Sequence, residues 1–277
     1  MARDAVVYLS WWKNHAQWSA HFLRSIVKYN SGAEFDLIYL LKEFPDGETD
    51  AAFERYRGQL TCPTHVFRTP DKRFDLNVYL EAAAKFDFGR MLFLNSYSRI
   101  LAPDWFAHFQ SAFDQIPDAG VIAATGSYET MPPLPFPNVN VRTNAFMIDR
   151  ALLLDLEPGS LETKRDTNRL EAGANSITRQ IVRRGMAPVL VDRFGKAWRS
   201  EDWPVSRTFR SGHQEGLLIA DNRTHHYEAG SMATRRKLAK LAWGSNAVVL
   251  KKSVVGRALS HSAWKWPDLV QNRWSYG

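Results

Sequence analysis

The sequence has very little cysteine and no long hydrophobic run. One cysteine, Cys62, is present, which excludes an internal disulfide framework and any multi-cysteine metal site. No stretch approaches the roughly 18 to 20 apolar residues that span a bilayer. The apolar start, Ala5 to Leu9, is short and follows Asp4, unlike a secretory signal. We therefore expect a cytoplasmic protein.

Several motifs of common enzyme classes are also absent. The sequence contains no Gly-x-Gly-x-x-Gly, no Walker A loop, no His-Glu-x-x-His and no Gly-x-Ser-x-Gly. Each of these places a phosphate, a metal or a nucleophile by a specific backbone geometry. Their absence argues against a dinucleotide oxidoreductase, a P-loop NTPase, a zinc protease and an α/β-hydrolase.

The positive charge is concentrated near the C-terminus. The 277 residues include 36 Lys+Arg and 29 Asp+Glu, a formal charge of +7, with a hydrophobic content of 45% that is typical of a folded globular protein. Residues 231–267 contain eight basic and no acidic residues, so 28 basic and 29 acidic residues remain elsewhere. We predict a near-neutral domain at residues 1–230 and a basic, aromatic, helical extension at residues 231–277.

This extension has more than one interpretation. Basic residues attract anionic headgroups, and aromatic residues such as Trp264, Trp266 and Trp274 settle at the membrane interface. The extension is therefore either a peripheral contact with the inner face of the cell membrane or a segment that packs on its own body or on a partner subunit. No nucleic acid is expected as a partner, because no base-reading motif accompanies the basic residues.

Short apolar runs alternate with helical patterns along the body. Predicted strands are 5–10, 35–41, 65–67, 90–95, 120–124, 145–148 and 189–191, and predicted helices are 18–27, 49–60, 76–86, 103–116, 170–184 and 232–243. This alternation predicts an α/β fold with a mostly parallel central sheet flanked by helices. Ligands bind at the carboxyl ends of such strands, where Ser10, Arg68 and Asn95 to Ser98 fall.

The strand Leu92-Phe-Leu that ends at Asn95-Ser-Tyr-Ser98 carries a family resemblance. In its position and context it resembles the strand that leads into the Asp-x-Asp motif of GT-A glycosyltransferases, the inverting nucleotide-sugar transferases of the bacterial polysaccharide type. The resemblance implies a GT-A-like fold over residues 3 to 227 and a donor diphosphate beside Asn95, Ser96, Tyr97 and Ser98. Asn95 and Tyr97 replace the two aspartates, so a divalent Mg²⁺ or Mn²⁺ cofactor is doubtful. Alternatively, these residues form only a polar turn.

The resemblance also implies a donor site on the segment from Arg68 to Asn77. Asp75 is the candidate for the ribose hydroxyls, because a carboxylate accepts from two adjacent O–H groups. Arg68 or Arg73 is the candidate for phosphate, and Ser10 helps to hold the nucleoside. Alternatively, Asp71 or Asp75 caps the helix that follows.

The acceptor side is expected further along the chain. Arg142 and Asn144 lie in a loop before a strand and are candidates for sugar hydroxyls or phosphate; a turn role for Asn144 is the alternative. The resemblance implies an acidic base at a helix start, and Glu171 fits by order, with Glu162 and Asp166 as further candidates. A solvated glutamate at a helix N-terminus is the alternative.

The last candidates lie between Gly212 and Tyr227. Arg223 is expected to stabilise the diphosphate, and Asp221 and His225 are candidates for additional metal ligands. Together these residues predict a transferase that moves a sugar from a nucleotide diphosphate sugar to a glycan or lipid-linked acceptor with inversion, in bacterial surface polysaccharide synthesis. The rivals are a GT-A-like domain that binds without turnover, and a nucleic-acid binder.

Overall fold

The computed structural model describes residues 3–14, 16–70 and 74–251. Its strands are β1 (Ala5–Trp11), β2 (Asp36–Lys42), β3 (Thr64–Thr69), β4 (Arg90–Leu94), β5 (Arg99–Ile100), β6 (Ala119–Ala123), β7 (Gly126–Ser127), β8 (Asn140–Val141), β9 (Ala145–Asp149), β10 (Ala187–Val191), β11 (Ala197–Arg199) and β12 (Ile219–Ala220). Its α-helices are α1 (Ala16–Lys28), α2 (Ala51–Tyr56), α3 (Asp75–Lys85), α4 (Trp105–Gln115), α5 (Arg150–Asp155), α6 (Lys164–Ala172), α7 (Ile177–Arg183), α8 (Asn222–Ala229) and α9 (Met232–Trp243). Over the described ranges, no helix is long and apolar enough to cross a membrane.

The central sheet has the order β11-β10-β6-β9-β4-β1-β2-β3. Four adjacent strands, β3, β2, β1 and β4, run parallel to one another. Strands β6 and β10 form a second parallel pair. Strand β9 lies antiparallel between β4 and β6, and β11 is antiparallel at the edge. The prediction of an α/β fold with a mostly parallel central sheet flanked by helices is confirmed. The antiparallel insertion of β9 brings its first residues to the edge where β4 and β6 end.

Helices cover both faces of the sheet. In β1, Val6 and Tyr8 pack with helices α1, α2 and α4, whereas Val7 and Leu9 point to the other face and pack with α3, α7 and α9. These side chains are fully buried. Because successive side chains of a strand point to opposite faces, a sheet covered on both faces requires an unbroken apolar run. This explains why the central strands are visible in the sequence.

The helix predicted over residues 170–184 is wrong, because two helices occupy this region. Helix α6 ends at Ala172, and Gly173 caps it with its N–H bonded to the Arg169 carbonyl at 2.8 Å. A Cβ atom at Gly173 would lie 2.6 Å from that carbonyl oxygen. Helix α7 then starts from Ser176, whose side chain accepts from the Arg179 N–H. Glu171 therefore lies in the last turn of α6, and its expected position at a helix start is wrong.

Helix α9, the first part of the basic extension, packs on the body. Trp243 is fully buried, donates from Nε1 to the Phe209 carbonyl at 2.7 Å, and meets the ring of Tyr128 edge-on at 5.1 Å. Arg235 is also buried and donates to the Gly212 carbonyl at 2.6 Å. For residues 232–243, the structure therefore shows packing on the chain's own body. Residues 252–277 lie outside the described residues, and the boundary at residue 230 stays a prediction.

Replacing Trp243 by alanine should destabilise the protein strongly. The substitution removes a buried indole and its hydrogen bond and leaves a cavity, which typically costs about 3–5 kcal/mol of unfolding free energy. Leu241→Ala is the matched control on the same helix, since Leu241 is 51% exposed and exposed substitutions cost less than about 0.5 kcal/mol. Urea unfolding of both variants measures the difference. Equal stability of the two variants contradicts the packing of α9 described above.

Candidate functional site

The turn after β4 is closed by hydrogen bonds of Asn95. Its Oδ1 accepts from the Tyr97 N–H at 3.1 Å and from the Ser98 hydroxyl at 3.0 Å. Its own N–H donates to the Asn144 carbonyl at 2.9 Å, and the Ser98 hydroxyl also reaches that carbonyl at 3.1 Å. The turn and the start of β9 are thus joined at the carboxyl edge of the sheet.

The loop after β1 holds the other side of this turn. Asn14 donates from Nδ2 to the Ser96 hydroxyl at 2.6 Å and accepts from the Tyr97 hydroxyl at 3.2 Å. The Tyr97 ring also packs edge-on against Trp18 at 4.9 Å. Burial raises the pKa of the Tyr97 hydroxyl, Asp75 adds to that shift, and Arg223 lowers the pKa. Tyr97 therefore lies within electrostatic range of both Asp75 and Arg223.

Asp75 lies at the same edge of the sheet. It is the first residue of α3, and Phe74 occupies the N-cap position, so the alternative role of Asp75 as the cap is wrong. The side chain is exposed to solvent, yet burial raises the pKa of its carboxyl, Lys42 opposes that shift and Glu171 adds to it. Asp75 therefore combines access to solvent with Lys42 and Glu171 as charged neighbours. Asp71 and Arg73 lie outside the described residues.

Glu171 reaches the same region from the end of α6. Its Oε1 accepts from the Thr143 hydroxyl at 3.0 Å. Thr143 lies between Arg142 and Asn144, in the loop that leads into β9. Glu171 adds to the raised pKa of the Asp75 carboxyl, so the two carboxylates lie within electrostatic range of each other. Predicted donor and acceptor residues from separate parts of the chain are thus brought together.

Arg142 and Arg210 form a cluster with acidic partners beside this loop. Their guanidinium carbons lie 4.4 Å and 4.7 Å from the centre of the Phe209 ring. Arg210 donates to Glu129 Oε1 at 2.5 Å. Arg142 lies 3.6 Å from Asp221 Oδ2 and 3.9 Å from Glu129 Oε2. Glu129 and Arg210 are not among the predicted site residues, because neither belongs to a recognisable motif.

Asp221 and Arg223 belong to the start of α8. Asp221 is the N-cap and accepts from the N–H groups of Arg223 and Thr224 at 3.0 Å and 2.8 Å. Pairing of Ala220 with Arg99 between β12 and β5 places Asp221 beside Ser98. Arg223 therefore lies in the first turn of a helix next to the turn after β4.

Ser10 and Arg68 have other partners. Ser10 is buried and donates to Asp50 Oδ2 at 2.6 Å. Arg68 donates to the carbonyls of Phe44, Pro45 and Glu48 at 3.2, 3.0 and 2.5 Å. Ser10 thus stabilises the buried Asp50, and Arg68 fastens the loop after β2. These contacts give both residues a structural role, and we therefore do not retain them in the donor site.

The residues at the Asp-x-Asp position do not fit a divalent metal. Mg²⁺ and Mn²⁺ prefer carboxylate oxygens, whereas Asn95 Oδ1 already accepts two hydrogen bonds from its own turn. Burial raises the pKa of Tyr97, which keeps its hydroxyl neutral. Within the residues that the structure describes, no group of three or more His, Cys, Asp or Glu side chains is arranged to hold a metal.

His21 and His225 predict a loss of stability in mild acid. Burial, followed by the charge of Arg99, lowers the pKa of each to about 4, below the usual 6.5. Between pH 6.5 and 4 the unfolded chain therefore binds more protons than the folded chain. The contribution of each histidine to the free energy of unfolding is complete above pH 6.5 and is lost as the pH falls toward 4. Because both rings are only partly buried, we expect each histidine to contribute about 1–2 kcal/mol to the free energy of unfolding.

Urea unfolding between pH 4 and 7.5 measures this dependence. The variant His225→Gln should reduce its slope relative to the wild type. An unchanged slope in the variant contradicts the assignment of acid sensitivity to His225.

No protein-family model matches the chain, and no curated protein matches its sequence. Solved structures do resemble it. S. aureus TarS is 14% identical, with 59% of this chain and 32% of TarS covered and a TM-score of 0.43. The mannosyltransferase PcManGT from Pyrobaculum calidifontis, in complex with GDP-Man and Mn²⁺, is 12% identical, with 78% and 62% covered and a TM-score of 0.49. GalNAc-T7 with UDP, GalNAc and Mn²⁺ is 15% identical, with 69% and 42% covered and a TM-score of 0.44. The chain thus spans about one third to two thirds of these proteins.

Proposed function

We propose that the carboxyl edge of the sheet transfers a sugar from a nucleotide diphosphate sugar to a hydroxyl group of an acceptor. One observation carries this proposal: Thr143 fixes the Glu171 carboxylate beside Asn144, and Glu171 lies within electrostatic range of Asp75. This arrangement offers one carboxylate for a ribose, one for an acceptor hydroxyl, and cationic groups near the turn. The sequence resemblance to GT-A glycosyltransferases agrees with this distribution of roles.

In this proposal Glu171 acts as the general base. The Thr143 hydroxyl orients the carboxylate through Oε1, and Oε2 has no hydrogen-bond partner among the described residues. As the acceptor oxygen bonds to the anomeric carbon, its proton passes to Glu171. The bond from that carbon to the diphosphate oxygen breaks at the same time. Attack from the face opposite the leaving group inverts the anomeric configuration.

The other residues hold the donor. Asp75 accepts hydrogen bonds from the ribose hydroxyls, because a solvent-exposed carboxylate can bind two adjacent O–H groups. The turn from Asn95 to Ser98 and the side chain of Arg223 lie by the diphosphate. Asn144 borders the transferred sugar, and Arg142 lies in the same loop, within reach of sugar hydroxyls or phosphate. We propose a glycan or lipid-linked acceptor, as in bacterial surface polysaccharide synthesis, by resemblance.

A panel of nucleotide sugars tests this function. A true donor at 100 times its dissociation constant should stabilise the protein by about 2.7 kcal/mol, which a thermal-shift assay detects. The stabilising donor is then incubated with glycan and lipid-linked acceptors, and the anomeric configuration of the product is determined by NMR. Absence of stabilisation by every nucleotide sugar contradicts the proposal.

A domain that binds without turnover is the second candidate. Its support is the neutral Asn95 and Tyr97 at the Asp-x-Asp position. The same panel separates the two functions: stabilisation by a donor with neither transfer nor donor hydrolysis favours binding alone. Formation of a glycosylated product excludes that interpretation.

We also propose that the basic extension contacts anionic membranes. Arg236, Lys237 and Lys240 remain exposed on α9 although the helix packs on the body, so their charges are available to headgroups. Flotation with vesicles that contain phosphatidylserine measures this contact. We expect binding that weakens with salt and with the triple change of these residues to Gln; unchanged binding of that variant contradicts the proposal.

A further inference from the structure

The side chains of Arg142, Arg210 and Asn144 have unused hydrogen-bond donors. The guanidinium group of Arg142 makes no hydrogen bond to the described residues, since its nearest carboxylate oxygens lie at 3.6 Å and 3.9 Å. The Nε atoms of Arg142 and Arg210 and the Nδ2 atom of Asn144 are buried without a partner among the described residues. Buried donors in native proteins are nearly always satisfied. A group of unsatisfied donors indicates a site for an acceptor-rich ligand.

The charge of this site favours an anion. Arg142, Arg210 and Arg223 carry three positive charges, and Glu129 and Asp221 carry two negative charges. Burial, followed by Arg210 and Arg223, lowers the pKa of His226, so this histidine adds no positive charge at neutral pH. Asp221 Oδ2 also lacks a hydrogen bond, but its other oxygen caps α8. The cluster therefore keeps a net positive charge.

The loop that carries Arg210 is held in an unfavourable backbone conformation. Arg207, Arg210 and Gln214 have φ values of +54°, +44° and +57°, a region that side chains disfavour. Gln214 holds the loop by accepting from the Arg210 N–H at 3.0 Å and donating to the Thr224 carbonyl at 3.1 Å. Backbone strain that surrounding contacts maintain is found most often at functional sites. In this loop the strained backbone positions the side chain of Arg210, which is 6% exposed.

The cluster adjoins the turn at which the donor diphosphate is proposed to lie. Asn144, two residues after Arg142, accepts from the Asn95 N–H and the Ser98 hydroxyl through its carbonyl. On the other side, Arg223 is close enough to Tyr97 to lower the pKa of its hydroxyl. The arginines therefore flank the position where the resembling family places a metal.

We propose that Arg142, Arg210 and Arg223 bind the donor diphosphate without a divalent metal, and that Glu129 is an internal anion that the diphosphate displaces. This inference rests on the proposed function, because a nucleotide diphosphate sugar is the source of the ligand. Guanidinium groups bind phosphate oxygens in pairs of charge-assisted hydrogen bonds. The same groups stabilise the negative charge that the leaving diphosphate acquires. Glu129, which is 31% exposed, can turn to solvent when the ligand enters.

Calorimetric titration with inorganic pyrophosphate, UDP and GDP tests the proposal on the full chain. We expect dissociation constants with EDTA within about threefold of those with Mn²⁺. Arg142→Gln should weaken binding by roughly 10- to 100-fold, as for loss of a hydrogen bond to a charged group. Glu129→Gln should strengthen binding by roughly tenfold, since it removes the competing charge. Arg199→Gln is the control and should bind as the wild type does, because Arg199 lies on the edge strand β11 and pairs with Asp118, directly before β6.

Several outcomes overturn the proposal. These are binding that requires Mn²⁺, wild-type affinity in Arg142→Gln, or absence of pyrophosphate and nucleotide binding under both conditions. The guanidinium group of Arg142 makes no hydrogen bond to the described residues, so its variant should fold, and a thermal melt checks this. Metal-free pyrophosphate binding with no transfer would support the arginine site and contradict the proposed function. Sugar transfer that needs a metal and is insensitive to Arg142→Gln would support the proposed function and contradict the arginine site.

Discussion

Glu171→Gln should lower the rate of sugar transfer by a factor of about 10² to 10⁴, the usual contribution of a general base. The amide keeps the size of the side chain and its acceptor for the Thr143 hydroxyl, but it cannot take the acceptor proton. Glu171 is not among the residues proposed to hold the donor, so stabilisation of the protein by the donor should be unchanged. Transfer is followed by product formation at saturating donor and acceptor.

Two variants sharpen this experiment. Glu162→Gln changes an exposed glutamate on the same segment and should retain full activity; its inactivation would instead identify Glu162 as the base. Thr143→Ala removes the hydroxyl that orients Glu171, so it should lower kcat by roughly tenfold with little change in the KM of the donor. Equal activity of Glu171→Gln and wild type removes Glu171 from its proposed role.

Asp50→Ala should have the largest effect on stability, about 3–5 kcal/mol of unfolding free energy. The buried carboxylate accepts from Ser10, Ser19 and Tyr39 at 2.6, 3.0 and 2.8 Å. It also caps α2 by accepting from the backbone N–H groups of Ala52 and Phe53. Its removal leaves several buried donors without a partner, which is costly. Chemical denaturation at pH 7 measures the loss.

Ser10→Ala provides the comparison. It removes one of these hydrogen bonds and should cost about 1 kcal/mol, with no change in donor affinity. Such a result agrees with the structural role of Ser10. Donor binding that weakens in Ser10→Ala while stability is kept would return Ser10 to the donor site.

The sequence predicts the central strands well because burial leaves a direct mark on it. The boundaries predicted for β1, β2 and β4 differ from the observed ones by one residue at most, since strands covered on both faces need continuous apolar residues. The orientation of β9 leaves no such mark. Strand order depends on how connections cross the sheet, and the local pattern of side chains does not record it.

The break between α6 and α7 could have been predicted. Gly173 and Ser176 are a C-cap and an N-cap signal separated by two residues. The apolar spacing on both sides continues without interruption, which favours one helix when the caps are disregarded. Because of this error, Glu171 is predicted at a helix start, whereas it lies in the last turn of α6.

The arginine cluster could not have been predicted from the sequence. Arg210 and Glu129 are 81 residues apart, and their contact depends on a loop with positive φ values and on Trp243 packing behind Phe209. Ser211 and Gly212 indicate a turn, but they do not indicate which side chain the turn presents. A site of this kind is assembled by tertiary packing.

The most direct test of the central claim is a crystal structure with the nucleotide sugar that gives the largest thermal shift. We predict the diphosphate between the turn after β4 and Arg223, the ribose at Asp75, and the transferred sugar near Glu171. The structure also contains a cavity of about 110 Å³ at the amino edge of the sheet, lined in part by Tyr29, Phe35 and Cys62. A nucleotide sugar bound in that cavity, or away from the turn after β4, would contradict the account.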